Sequence, residues 1–163
     1  MFGVSACETP PPERVGSLVC PEILIPNYTE NLVKIADGRS GLDITDIVYQ
    51  AGVGYLSGTC TVSDHFIVMN FPVLVEFRKG PANRDNQAAA SLFAAVMNQK
   101  KQRLTQNVLS YRVNFDNNSP HASINDPITI EIPKRPDQTG RDFIIYLGFE
   151  LNREELDYNI NAR

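Results

Sequence analysis

The chain has 163 residues, of which 42% are apolar and 21% are charged, a composition typical of a globular protein long enough to bury a core. Its net charge of −4 argues against a phosphate-binding surface as the main function, and therefore against nucleic acid as a partner. The sequence contains no run of eighteen apolar residues, which excludes a transmembrane helix within it.

Residues 1–16 predict a lipoprotein signal remnant and a tether. The segment Val4-Ser5-Ala6-Cys7 matches a lipobox, in which an apolar and two small residues precede the cysteine that receives diacylglycerol. We therefore predict that Cys7 is lipidated and holds the protein in a membrane. A signal needs a basic stretch and an apolar core of roughly 7–15 residues. Only MFGVSA precedes Cys7, so we expect the reading frame to start upstream. Residues 8–16 are polar and proline-rich, which favours a semi-extended spacer.

The other two cysteines, Cys20 and Cys60, form an even pair once Cys7 is lipidated. In an oxidising periplasm we expect them to form a disulfide. The alternatives are a free thiol at Cys7 and two buried reduced thiols at the other positions. Glu8 follows Cys7, where inner-membrane lipoproteins of enteric bacteria carry aspartate, and this favours the outer membrane. The sequence contains no C-x-x-C motif and no Cys/His cluster, so it does not predict a structural zinc site.

From residue 17 onward, short apolar runs and period-two alternation predict strands. The first are SLVCPEILIP and NLVKIAD, followed by the turn-rich link ADGRSGLDITD. The segments DIVYQAGVGYLSGTCTVS and FIVMNFPVLVEF predict a long hairpin, and the glycines of the former indicate a bulge or a close backbone approach. Residues 88–98 fit either a helical face or a strand, and alanine propensity favours the helix.

The second half of the chain continues this pattern. NVLSYRVNF alternates at Leu109, Tyr111, Val113 and Phe115, DNNSPHASIND predicts a loop, and PITIEIP and FIIYLGFEL predict the last strands. Asn152 can cap a single helical turn over Glu154 and Glu155. The sum is an all-β protein, an antiparallel immunoglobulin- or fibronectin-like β-sandwich of seven or eight strands over residues 17–163 with a short C-terminal tail.

The segments LVCPEILIP, DITDIV, GTC, RKGPA, FAAVMNQKKQRL and FIIYLGFELNREELDYN together resemble a family of small alphaproteobacterial outer-membrane lipoproteins of uncharacterised function. The resemblance covers roughly residues 18–159. It implies an envelope lipoprotein, and it implies a strand-turn-strand hairpin for residues 91–113, which decides for a strand over residues 88–98. It supplies no catalytic motif.

No segment carries a catalytic or cofactor-binding motif. GVGYLSG lacks the spacing of a phosphate-binding loop, and LSG is not a nucleophile elbow. His65 and His121 are expected to be exposed turn residues, although a two-histidine metal site with Asp64 or Asp116 is an alternative. The acidic stretch DNNS (116–119), with Asp126, matches a calcium loop only loosely. KKQR (100–103) predicts a charged hairpin tip that could meet anionic lipid or an acidic partner.

Three functions follow in order of preference. The first is a non-enzymatic structural or protein-interaction module, anchored through Cys7 on the periplasmic face of the outer membrane and bound to another envelope protein. The second is a ligand-binding module for a glycan, lipid or metal ion, with a pocket lined by Tyr49, Tyr55 or Tyr111. The third is an enzyme built on His65 or His121 with a nearby carboxylate or serine. We predict no catalytic residues, no cofactor and no metal.

Overall fold

A computed structural model describes residues 19–40 and 43–162, and these residues form nine strands and one α-helix. The strands are β1 (Glu22–Leu24), β2 (Asn31–Ile35), β3 (Ile47–Tyr55), β4 (Thr59–Val62), β5 (Phe66–Lys79), β6 (Gln87–Asn98), β7 (Arg103–Asn114), β8 (His121–Pro133) and β9 (Phe143–Phe149). The helix α1 spans Arg153–Asn161, and short 3-10 turns at Ile44–Asp46 and Gly140–Asp142 precede β3 and β9. The predicted all-β sandwich is confirmed, with nine strands rather than seven or eight.

Two sheets make up the sandwich. Sheet A has the strand order β1-β9-β6-β7. In sheet B, β8 runs along one edge of β5, β3 and β4 share the other edge, and β2 lies outside β3. Every pairing is antiparallel except that of β1 with β9, which are parallel and place Glu22 beside Ile144. This pairing joins the beginning of the described chain to its end.

The central strand β5 contains Pro72, at a position where proline ordinarily costs a ladder hydrogen bond. β4 pairs with β5 as far as Asn70 and β3 pairs from Val73, so Pro72 lies in the gap between two neighbours. The chain crosses this gap after β3, and the Leu56 N–H donates to the Pro72 carbonyl at 3.0 Å. The strand predicted to precede β5 is therefore split in two.

Of the two alternatives predicted for the glycines of DIVYQAGVGYLSGTCTVS, a close backbone approach is found and a bulge at a glycine is not. Tyr49 to Tyr55 pair with β5 in unbroken register, which includes Gly52 and Gly54. Both glycines lie on the outer face of sheet B, and a Cβ at Gly54 would meet nothing within 4 Å. The close approach instead occurs at Gly58, where a Cβ would lie 2.2 Å from the Asn70 carbonyl oxygen.

The core fills the space between the sheets with side chains from alternate positions of each strand. The largest fully buried side chains are Phe71, Phe77, Phe143, Phe149, Ile67, Leu92, Ile130, Ile132, Ile145, Leu147, Val73 and Val75. Burial of each stabilises the fold by about 1.5–3 kcal/mol relative to exposure. The strands predicted from FIVMNFPVLVEF, PITIEIP and FIIYLGFEL are confirmed as β5, β8 and β9.

Residues 88–98 form a strand, as the hairpin prediction requires. β6 pairs with β9 on one side and β7 on the other, so backbone pairing on both edges overrides the helix propensity of its alanines. The β6–β7 turn lacks glycine, and Lys101 instead adopts the left-handed conformation with φ 59°. The Asn98 side chain accepts from the N–H groups of Lys100 (3.0 Å) and Gln102 (2.9 Å).

Two predicted boundaries are wrong. β8 begins at His121, within the predicted loop, because Ala122 and Ile124 turn inward while His121 and Ser123 face solvent. The C-terminal helix extends over nine residues rather than one turn. Its predicted cap is confirmed, since Asn152 Oδ1 accepts from the Glu155 N–H at 2.9 Å.

Candidate interaction surface

The predicted anchor and tether, including Cys7 and the lipobox at residues 4–7, lie outside the described residues. Cys20 and Cys60 form the expected disulfide, with their Cα atoms 5.6 Å apart. Cys20 precedes β1 of sheet A, and Cys60 lies in β4 of sheet B. The bond therefore joins the two sheets next to the point at which the chain enters the fold.

The three tyrosines proposed as pocket residues connect the sheets. Tyr49 and Tyr55 of β3 donate to the carbonyls of Ala89 (2.7 Å) and Ile23 (2.8 Å) in sheet A. Tyr111 of β7 donates to Asp126 Oδ2 of β8 at 2.9 Å. Each hydroxyl thus satisfies a polar group of the opposite sheet, which makes these side chains part of the inter-sheet packing.

The surroundings of Tyr111, including Asp126, change the pKa of its phenol. Burial, followed by the hydrogen bond to Asp126 and the negative charge of that carboxylate, raises the pKa of Tyr111 above its ordinary value. The fold therefore favours the neutral phenol. Asp126 faces β7 rather than residues 116–119, so the loose calcium loop considered from the sequence is not assembled.

One open groove does bring two of these tyrosines together. It has a volume of about 580 Å³, and its lining includes Tyr49, Tyr111 and several charged side chains. Tyr55 is not part of it. Because both hydroxyls donate to protein groups, they offer a ligand only their remaining acceptor capacity.

The two histidines are far apart. His65 precedes the first residue of β5, whereas His121 pairs with Arg78 near its last. At 3.2–3.4 Å per residue, that strand separates them by roughly 40 Å, so they cannot share a metal ion. Within residues 19–40 and 43–162, no group of three or more His, Cys, Asp or Glu side chains is placed to hold a metal.

The edge strands are β1 and β7 of sheet A and β2, β4 and β8 of sheet B. An unprotected edge can pair with another chain, and proteins block it with short strands, prolines or covering elements. β1 and β4 have only three and four residues. α1 covers β2, and its Asn159 side chain donates to the carbonyls of Tyr28 (2.8 Å) and Asn31 (2.7 Å).

β8 is long but contains Pro127 and Pro133. Lys79 N–H donates to the Pro120 carbonyl and Lys134 N–H to the His65 carbonyl, so even-numbered residues of β8 bond to β5. Odd-numbered residues therefore direct their backbone groups to the free edge, where the two prolines remove donors.

Within the part of the chain that the structure describes, β7 has no such protection over most of its length. Phe115 N–H donates to the Asn86 carbonyl, so odd-numbered residues of β7 bond to β6 and even-numbered ones face the free edge. The register shifts once, at Leu104, and is regular from Thr105 to Asn114. Val108 is 53% exposed on the outer face. This free edge of β7 is the candidate interaction surface.

Sequence reasoning assigned the inward residues of β7 correctly but missed this edge. Val108 is an apolar residue at an outward position of β7, where the neighbouring outward residues are mostly polar. This exposed valine was the signal in the sequence that could have indicated an interaction surface. The predicted charged hairpin tip is confirmed, with Lys100, Lys101 and Arg103 all exposed at the start of β7.

No family model matches this sequence, and no curated protein matches it at a significant level. A solved structure of the variable domain of the Streptococcus agalactiae AgI/II polypeptide BspA is similar at 9% identity, with 76% of this chain and 73% of that chain covered and a TM-score of 0.20. So low a TM-score carries no argument about function. No helix in the described part of the chain has the length and apolarity to cross a bilayer.

Proposed function

We propose that the protein is a non-enzymatic lipoprotein of the bacterial envelope, anchored through Cys7 on the periplasmic face of the outer membrane, where it binds another envelope protein. The lipobox and the proline-rich spacer support the anchor. The Cys20–Cys60 disulfide supports an oxidising compartment, because disulfides persist there.

The observation that carries the binding role is the free edge of β7. Its regular stretch from Thr105 to Asn114 presents unpaired backbone donors and acceptors, and it contains no proline. An extended segment of a partner can add to such an edge through main-chain hydrogen bonds, while side chains such as Val108 give specificity. The ligand-binding alternative is less well supported, because the hydroxyls of Tyr49, Tyr55 and Tyr111 all donate within the protein.

The anchor is tested by intact-mass analysis of the protein extracted from native membranes. We expect the mass of a diacylglyceryl-modified and acylated Cys7 at the new N-terminus, and Cys7→Ser should release the protein from the membrane fraction. A bare Cys7 thiol in native membranes would contradict the anchor.

Strand addition is tested by a photo-crosslinking amino acid at position 110 of β7, with position 131 of β8 as the matched control. We expect a discrete adduct with an envelope protein from position 110 only. Val108→Pro should abolish that adduct while leaving the fold intact, because the Val108 N–H faces the free edge and makes no bond to β6. An adduct that survives Val108→Pro would exclude pairing along β7.

A further inference from the structure

One end of the sandwich combines the chain entrance with a basic surface. In sheet A, the start of β1 lies beside the start of β9, which lies beside the end of β6 and the start of β7. The end of β8 leads through residues 134–142 into β9 at the same end. We call this the tether end, because residues 1–18 join the fold there. It consists of the start of β1, the β4–β5 turn, the β6–β7 turn with Arg103, and residues 134–142.

Four cations of the tether end are exposed and close to one another. Lys100, Lys101 and Arg103 lie at the β6–β7 turn, and the Gln99 side chain donates to the backbone carbonyl of Arg141, which ties that turn to the start of β9. Within the described residues, no carboxylate forms an ion pair with any of these four side chains.

The other charges at this end are largely engaged. Arg135 pairs with Asp137 at 3.2 Å, and Lys134 donates to the Asp64 carbonyl at 3.2 Å. Asp142 accepts from the Thr139 N–H at 2.7 Å. The remaining carboxylates of the tether end belong to Glu22, which is exposed at the start of β1, and Asp64. The tether end therefore has six basic against four acidic side chains in a chain whose net charge is −4.

The opposite end has a net negative charge. Its loops and α1 contain three cations, Arg39, Arg84 and Arg153, against nine carboxylates, those of Asp37, Asp43, Asp46, Asp85, Asp116, Glu150, Glu154, Glu155 and Asp157. The molecule is thus electrostatically polarised along the strands, with the positive end at the entrance of the tether. A negatively charged surface attracts the first end and repels the second.

We propose that the tether end is a docking surface for anionic phospholipid head groups, contacted by Lys100, Lys101, Arg103 and Arg141. This rests on the proposed function, because lipidation of Cys7 would hold this end next to the bilayer. Residues 8–18 span at most about 36–40 Å when fully extended, so the head groups stay within reach. Docking would place the β6–β7 turn at the head groups, and β7 would run from there away from the membrane. The free edge of β7 would then stand clear of the head groups over most of its length.

The test uses the full chain with Cys7→Ser, so that no acyl chain contributes, and sedimentation with vesicles of phosphatidylglycerol and phosphatidylcholine. We expect binding to the mixed vesicles at low salt, and its loss on pure phosphatidylcholine or at high salt. Each of K100Q, K101Q, R103Q and R141Q should weaken binding about fivefold, and the quadruple variant at least fiftyfold.

The matched control neutralises four cations of the opposite end, R39Q, K79Q, R84Q and R153Q, and so changes the net charge equally. It should bind the vesicles with at most a small loss, because these four cations lie at the end that faces away from the head groups and their effect is screened over that distance. Equal losses in the two quadruple variants, or no binding to anionic vesicles, would overturn the docking surface. Binding to soluble polyglutamate but not to vesicles would overturn it in favour of an acidic protein.

These outcomes are separable from the anchor. An acylated Cys7 without vesicle binding leaves the anchor and removes the docking surface. Vesicle binding by a protein whose Cys7 thiol is bare in native membranes leaves the docking surface and removes the anchor. Thermal unfolding of both quadruple variants checks that their folds are intact.

Discussion

At the scale of single residues, Gly140 is required by a close backbone approach. A Cβ at this position would lie 1.8 Å from the Val19 carbonyl oxygen and 2.7 Å from the Cys20 carbonyl carbon, and backbone atoms cannot rotate away. We expect Gly140→Ala to lower the free energy of unfolding by about 1–3 kcal/mol, since overpacking forces a backbone shift. Urea denaturation of the variant and the unsubstituted protein measures this change in the free energy of unfolding.

Gly54 provides the matched control. A Cβ there meets nothing within 4 Å, and the residue lies in a regular strand. Gly54→Ala should leave stability unchanged or raise it by up to about 1 kcal/mol, because alanine restricts the unfolded chain more than glycine does. Equal destabilisation by both substitutions would show that the contact at Gly140 is not the cause.

Tyr111 predicts a pH dependence in the alkaline range. Because the fold raises the pKa of this phenol, its contribution to stability is complete below the ordinary tyrosine pKa of about 10 and decreases as the pH rises above it. We expect Tyr111→Phe to cost about 0.5–1.5 kcal/mol at pH 8. That difference should shrink above pH 10.

The difference in stability between Tyr111→Phe and the unsubstituted protein is followed by measuring the denaturation midpoints of both from pH 8 to 11.5. Asp126→Asn is the companion variant, because it keeps an acceptor oxygen for Tyr111 and removes the negative charge. Its alkaline dependence should be weaker than that of the unsubstituted protein. A difference between Tyr111→Phe and the unsubstituted protein that stays constant with pH would rule out a coupled titration.

At the scale of elements, the β6–β7 turn carries local strain that a single substitution relieves. Lys101 has φ 59°, a conformation that costs an L-residue with a Cβ roughly 1–2 kcal/mol. We expect Lys101→Gly to stabilise the protein by about 0.5–1 kcal/mol, although it removes a cation of the tether end. Thermal unfolding and vesicle sedimentation should therefore change in opposite directions.

Lys100→Gly is the matched substitution, because it removes an equal charge one residue away without relieving a positive φ. It should weaken vesicle binding similarly but lower stability or leave it unchanged. If both variants gain stability equally, the left-handed residue is not the source of strain.

The strands show how far sequence patterns reach. β7 was predictable because its inward positions are apolar and its outward positions mostly polar, whereas β5 and β9 were predictable as short, largely apolar runs. The start of β8 was not, since Ala122 and Ile124 are only half-buried and polar residues separate them. The split between β3 and β4 depends on a gap at Pro72 that only the pairing of three strands creates. The free edge of β7 likewise depends on strand order, which alternation does not encode.

At the scale of the whole molecule, sheet A is closed by two strands from distant parts of the chain. β1 and β9 pair in parallel, and β1 offers only three residues to that pairing. A pairing of only three residues forms few hydrogen bonds, whereas bringing the two ends of the chain together costs conformational entropy. The disulfide compensates, because Cys20 lies two residues before β1 and is bonded to Cys60 of β4.

The double variant Cys20→Ser/Cys60→Ser tests this role. A cross-link with a sequence separation of 40 residues restricts the unfolded chain, and the chain-entropy model values that restriction at about 4 kcal/mol. We expect a loss of that order in guanidinium denaturation, accompanied by faster hydrogen exchange in β1 than in β5, because the short strand detaches before the central one.

Cys7→Ser should leave the unfolding curve unchanged, since the pairing of Cys20 with Cys60 does not involve Cys7. Comparing the two variants separates the thiol assigned to lipidation from the thiols that stabilise the fold. Equal losses in both would mean that the cysteines exchange partners. Because Cys20 lies two residues before β1, the disulfide fixes the first strand of sheet A to β4 of sheet B.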